Sequence, residues 1–116
     1  MAQIIGYLTP VEAAAFQEHA ASGGLDASAL ANLLVARELR IRRLPDLKGR
    51  FDVDLPRGDR TKITAHQRGE ATKQAFCAHA ATAGLKPSPA AALLFRAELE
   101  ERWLKYCLDI KQFDSS

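Results

Sequence analysis

The first 36 residues contain neither lysine nor arginine, although the chain of 116 residues carries sixteen of them. Glu12, Glu18 and Asp26 are the only charged side chains in that stretch. Residues 37–73 reverse the balance, with eleven basic residues against six acids, and the remainder is even. A polyanion would therefore be drawn to the middle of the chain. A solvated basic connection is the other reading of the same composition.

Further scarcities narrow the class. No run of 18 apolar residues occurs, so no segment has the length of a membrane-spanning helix. The opening MAQIIGYLTP lacks the basic and long apolar regions of a signal peptide, and the expectation is a cytoplasmic protein with no membrane partner. The two cysteines, Cys77 and Cys107, lie thirty residues apart with no C-x-x-C spacing or paired histidine motif. They offer no zinc set and read as small packing residues, and a disulfide would be out of place in a reducing compartment. G-x-S-x-G, H-E-x-x-H and phosphate-loop motifs are absent, and candidate nucleophiles are scattered. Neither an enzymatic activity nor a cofactor, metal or small-molecule substrate is expected. An apolar content of 47% with 26% charge suits one domain, residues 1–116, with one modest core.

What the chain does contain is a repeat. Ala15–Leu44 and Ala75–Leu104, aligned at an offset of sixty without gaps, agree at 15 of 30 positions. The shared frame is A-F-x-x-H-A-A-x-x-G-L-x-x-S-x-x-A-x-L-L-x-x-x-E-L-x-x-R-x-L. Similar alanine-rich helices would not place His, Gly-Leu, Ser and Glu-Leu in common register, so the unit is duplicated. In the first copy Thr9, Pro10 and Glu12 mark a helix start: a capping hydroxyl, proline at N1 and an acid in the first turn. The helix stops at Gly23-Gly24, where glycine can take a left-handed cap. Asp26 then caps a second helix, ASALANLLVARELRIRRL. In the second copy Gly84-Leu85 repeats the stop, and Pro87 and Pro89 fall in the tolerant first turn of the next helix.

The second helices are apolar on nearly all sides. From Ala29 to Ala36 only Asn32 is polar, and Pro89–Phe95 is wholly apolar. A helix with that pattern is buried on several sides, and a unit of about 40 residues is too small to surround it alone. Two units can surround each other's. Each unit also opens with a candidate strand, Gln3–Leu8 and Lys62–Gln67, the latter alternating in character. Each strand finds no partner inside its own unit, so the two should pair as an antiparallel ribbon.

Strand, helix, Gly-Leu turn, serine near the second helix start and a buried helix resemble the ribbon-helix-helix (MetJ/Arc-type) DNA-binding family. The resemblance covers residues 3–44 and 62–104, with 45–61 as linker and 105–116 as a helical extension and tail. It implies a mainly α fold with a two-stranded antiparallel β-ribbon, a tandem pseudo-dimer in one chain like those of plasmid and conjugative transfer systems. It further implies a sequence-specific double-stranded DNA-binding protein, either a transcriptional repressor or a transfer accessory factor. In that family the ribbon enters the major groove and the second helices' N-termini clamp phosphates.

Carried onto this chain, the base-reading face is Gln3, Ile5 and Tyr7 with Lys62, Thr64 and His66. The phosphate anchors are Ser28 and Ser88, with Lys86 beside the second. One extra residue separates strand from helix in the second copy, and a register slip would bring Arg68 to the outward face. The chain departs from the family pattern at Gly6 and Gln67, which fall on the inward face where larger apolar groups are usual. Asp26 is a further departure, setting a carboxylate where a phosphate would lie. The second copy is therefore expected to be the stronger reader.

Several features carry two readings. His19 and His79 match in the repeat, but no third ligand repeats with them, so a packed, hydrogen-bonded role is expected over a metal bridge. RFDVDLP (residues 50–56) alternates enough for an edge strand inside an otherwise irregular connection, Pro45–Arg60. Its Arg50, Arg57 and Arg60 either contact DNA backbone or solvate the loop. Trp103, Tyr106, Cys107 and Ile110 recur at helical spacing, as a cover for the core or as a surface for self-association on adjacent DNA sites. The competing functional class is a protein-interaction adaptor that keeps the scaffold without binding DNA.

Overall fold

Thr9 opens the first helix through a reciprocal pair of hydrogen bonds. In the computed structural model, which describes residues 2–51, 58–67 and 69–105, the Glu12 N–H donates to the Thr9 hydroxyl (3.1 Å) and the Thr9 N–H to the Glu12 carboxylate (2.9 Å). This capping box satisfies donors that a helix start leaves unpaired. Helix α1 then runs over Pro10–Ser22. It closes when the Leu25 N–H reaches the Ala20 carbonyl (3.0 Å) and the Gly24 N–H reaches that of Ala21 (2.9 Å), with Gly24 at φ +76°. Ala80, Ala81, Gly84 (φ +75°) and Leu85 form the same closure in the second copy. The repeated Gly-Leu thus has a local cause. Glycine takes the left-handed position, and a half-buried leucine seals the turn against the core.

The order along the chain is β1 (Ala2–Leu8), α1, α2 (Ala27–Ile41), α3 (Leu44–Arg50), β2 (Thr61–Gln67), α4 (Glu70–Thr82) and α5 (Pro87–Glu101). The protein is mainly helical, with β1 and β2 paired antiparallel as a two-stranded sheet. Ile5 lies opposite Thr64, Gln3 opposite His66 and Tyr7 opposite Lys62. Each strand rests on the second helix of the other half, β1 on α5 and β2 on α2. The core between them includes Ile4, Phe16, Leu30, Phe76, Leu93 and Phe95, with the Phe16 and Phe95 rings 5.1 Å apart.

Two buried polar contacts are exchanged between the halves. His19 of α1 bonds through Nε2 to Oε2 of Glu98 in α5 (2.8 Å), and His79 of α4 bonds to Oε2 of Glu38 in α2 (2.7 Å). All four residues are buried. Each carboxylate also receives backbone N–H groups from the chain just beyond its own helix: Leu44 onto Glu38 (2.7 Å), and Leu104 (2.8 Å) and Trp103 (3.2 Å) onto Glu98. A buried carboxylate is costly unless it is hydrogen-bonded, and here Glu38 has two partners and Glu98 three. These contacts bear out the packed reading of the matched histidines. No group of three metal-ligating side chains occurs among the described residues.

The carboxylates also explain where the second helices end. The sequence suggests one helix through Leu44, but α2 stops at Ile41 and Arg42 turns left-handed (φ 52°) so that the Leu44 N–H can meet Glu38. Arg102 does the same after α5 (φ 53°). The segment expected as an irregular linker instead begins with α3, whose Leu44 and Leu47 are buried against the core. Two apolar anchors three positions apart, too few for a periodic signal, give this short helix its reason to form. Arg50 is the last residue of α3 and Phe51 its C-cap, and the rest of the suggested edge strand, 52–56, lies outside the described residues, as do Arg57, Tyr106, Cys107 and Ile110.

All-round burial holds for α5, where every residue from Ala90 to Phe95 is buried. It holds less for α2, because α3 packs on α5. Leu33 stays 41% exposed where its counterpart Leu93 is fully covered. Arg43, just before α3, locks onto Glu101 of α5 with both terminal guanidinium nitrogens (2.7 and 2.5 Å). Those hydrogen bonds hold the Glu101 carboxyl below its ordinary range, against the opposing effect of burial.

Glu38→Ala should destabilise the protein by about 3–5 kcal/mol, because it strands the buried His79 imidazole and the Leu44 N–H. Urea unfolding reads this, and Val11→Ser at a site 80% exposed should move the midpoint little. The Arg43–Glu101 pair, about three-quarters buried on each side, is expected to contribute about 1 kcal/mol at neutral pH. Glu101 has a depressed folded-state pKa, so this contribution is present above the carboxyl's unfolded pKa and disappears as pH falls through the folded value. Arg43→Met should therefore lower stability at pH 7 and match the parent near pH 2, as measured by unfolding at both pH values.

Candidate nucleic-acid interface

The alternation of β1 and β2 divides the ribbon into two faces. Ile4, Gly6, Leu8, Ile63 and Ala65 point into the core, while Gln3, Ile5, Tyr7, Lys62, Thr64 and His66 lie on the outer face. Gln3, Lys62 and His66 are exposed, and Ile5, Tyr7 and Thr64 are half-covered. Six of the seven candidate base-reading residues thus share one surface. Arg68 lies outside the described residues.

Both inward departures from the family pattern have a packing reason. A Cβ on Gly6 would come within 2.6 Å of Phe95 Cε2 and 2.8 Å of the Ala92 nitrogen, so only glycine lets β1 lie this close to α5. Gln67 donates its side-chain N–H to Oδ1 of Asn32 (3.2 Å). The two polar residues that interrupt otherwise apolar faces therefore satisfy each other across β2 and α2.

Both serines at the second-helix starts bond the ribbon. Ser28 Oγ donates to the Thr64 carbonyl (2.6 Å) and Ser88 Oγ to the Ile5 carbonyl (2.5 Å). Ile5 and Thr64 face each other at the middle of the ribbon, so both second helices are pinned by their first turns to its centre. Each hydroxyl proton is committed to the strand, which places the N-termini of α2 and α5 on either side of the outer face.

The two helix starts differ in what they present. At α2 the Ala29 N–H is capped by Asp26 (2.7 Å), leaving the N–H groups of Ala27 and Ser28 in the first turn beside a carboxylate. At α5 the N-cap residue is Lys86, with no side-chain cap bond, and prolines at 87 and 89 have no N–H. Ser88 supplies the N–H there, and the exposed Lys86 ammonium supplies charge. Anions favour helix N-termini, and a lysine strengthens that preference where a carboxylate weakens it.

Charge along the middle of the chain is divided rather than pooled. Lys62 is on the outer face, and the Arg60 guanidinium stacks 5.7 Å from the Tyr7 ring at the ribbon's end, a contact not foreseen from sequence. Arg40 and Arg42 lie at the opposite end of α2, about 20 Å of helix away from Ser28. Lys48 bonds the Ala83 carbonyl (2.9 Å), and Arg50 pairs with Glu101 (3.4 Å). Much of the basic segment therefore lies away from the ribbon or fastens α3 to the second half. Arg37 stacks over the half-buried Trp103 indole at 4.6 Å, and Trp103 is the described member of the set Trp103, Tyr106, Cys107 and Ile110.

Comparison with protein-family models, with curated proteins and with solved structures finds no match.

Ser88→Ala should cost about 1 kcal/mol of stability through loss of the bond to the Ile5 carbonyl. Urea unfolding in the absence of any nucleic acid checks this. An unchanged midpoint would mean that the serine has no structural part in seating the ribbon.

Proposed function

We propose that the protein is a sequence-specific double-stranded DNA-binding protein, a tandem ribbon-helix-helix pseudo-dimer that lays β1 and β2 in the major groove. The observation that carries this reading is the ribbon's outer face, with Gln3, Lys62 and His66 exposed, flanked by two helix starts that are each tied to the ribbon's centre by a serine. A two-stranded ribbon matches the major groove, about 12 Å wide. Gln3, Lys62 and Thr64 have the donors and acceptors to meet base edges, and Ile5 offers apolar contact to a thymine methyl. The first turns of α2 and α5 then meet phosphates on either side, with Ser28 and Ser88 acting mainly through the position they give those turns. Such a protein would serve as a small repressor or as an accessory factor at a DNA-transfer origin.

The competing reading is an adaptor that uses the same face for a protein partner. Asp26 favours it, since its carboxylate sits at the helix start where a phosphate would approach. Salt separates the two. With about four phosphate contacts, affinity for duplex DNA should fall about 10²-fold between 50 and 200 mM salt. Lys86→Ala should weaken binding to all duplexes alike and reduce the log–log salt slope by about one. Fluorescence anisotropy with labelled duplexes measures both. Failure to bind any duplex at 50 mM salt would exclude the DNA reading.

A further inference from the structure

We infer that the DNA site is not palindromic, and that the protein binds it in a single orientation. The inference rests on the DNA-binding reading, and it comes from the chemistry at the two ends of the ribbon. The serine bonds to Ile5 and Thr64, together with the register, mark the ribbon's centre. If the two strands were identical, the residues at equal distances on either side would match. They do not. On one side Tyr7 stands opposite Lys62, with Arg60 stacked on the Tyr7 ring. On the other, Gln3 stands opposite His66, with Gln3 Nε2 3.5 Å from His66 Nδ1.

Antiparallel pairing is what separates the ends. The cation of β2 meets the uncharged phenol of β1, so the contrast lies between two ends that each draw on both strands, and not between a strong and a weak copy. Two residues of strand span about 7 Å, close to the axial length of two base-pair steps at about 3.4 Å each. A palindrome would present equivalent base edges to these unlike ends. The Lys62 ammonium donates only, which suits the paired acceptors O6 and N7 of guanine. The Gln3 amide both donates and accepts, which suits N6 and N7 of adenine. The site therefore carries a G·C pair on the Tyr7–Lys62 side of its centre and an A·T pair on the Gln3–His66 side.

Selection of duplexes from a random pool with the full chain tests this, repeated with Lys62→Ala and Gln3→Ala. Both side chains are exposed, and unfolding curves matching the parent's verify that each variant is intact. The enriched motif should lack dyad symmetry. Lys62→Ala should abolish the guanine preference on one side of the centre only and Gln3→Ala the adenine preference on the other, each lowering affinity for the selected duplex about tenfold. A palindromic motif, or relaxation of the same positions by both substitutions, would overturn the inference and leave DNA binding standing. Absence of any enrichment at low salt would overturn the DNA reading and this inference together.

Discussion

Each half of this chain holds the carboxylate that the other half's histidine needs. Glu38 and Glu98 are both buried, and neither could remain so on its own half's resources. The imidazole comes from the opposite first helix, and the backbone N–H groups come from the chain that leaves the carboxylate's own helix. One side chain therefore fixes three things: the approach of the other half, the end of its own helix and the path beyond it. The left-handed turns at Arg42 and Arg102 follow from that demand, and so does the placement of α3. Left-handed backbone costs a residue other than glycine about 1–2 kcal/mol, an expense offset by satisfying a buried anion.

The ribbon depends on this arrangement because each strand rests on a helix from the other half. Its seating is set by close shape matching rather than by generic apolar contact. Glycine at position 6 leaves room for Phe95. At the equivalent positions of the other strand and helix the protein has Ala65 and Val35, a larger strand residue and a smaller helix residue, both buried. The summed side-chain size of the two pairs stays similar, the kind of exchange that packed cores tolerate. The Asn32–Gln67 bond is a second exchange, in which a polar pair stands where an apolar one would otherwise be needed.

Electrostatics follow the same division of labour. Charge that looks continuous along residues 37–73 is dispersed by folding into separate roles: Arg43 and Arg50 on Glu101, Lys48 on a helix end, Arg37 on Trp103, and Arg60 and Lys62 at one end of the ribbon. Few of these side chains face the proposed interface. Affinity there would depend on helix starts and a small number of cations, which leaves more of the discrimination to the six outer side chains.

The sequence by itself determined the local devices, because their causes lie within a few residues. Thr9 with Glu12, the Gly-Leu closures, the proline at N1 and the alternation of Lys62–Gln67 each act over one turn or one strand. Their repetition at an offset of sixty was enough to pair the strands and to bury the second helices against each other. The matched histidines were legible as packed residues, and Glu38 and Glu98 repeat in the same frame, a signal that could have paired them. Only the tertiary structure decided which histidine meets which glutamate, because the partners are 41 and 79 residues apart. It also decided that Ser28 and Ser88 bond strand carbonyls, that α3 exists, and that Lys62 shares its end of the ribbon with Tyr7. These are consequences of which surfaces come together. Periodicity says that a face must be covered, but distance and shape across the contact determine what covers it.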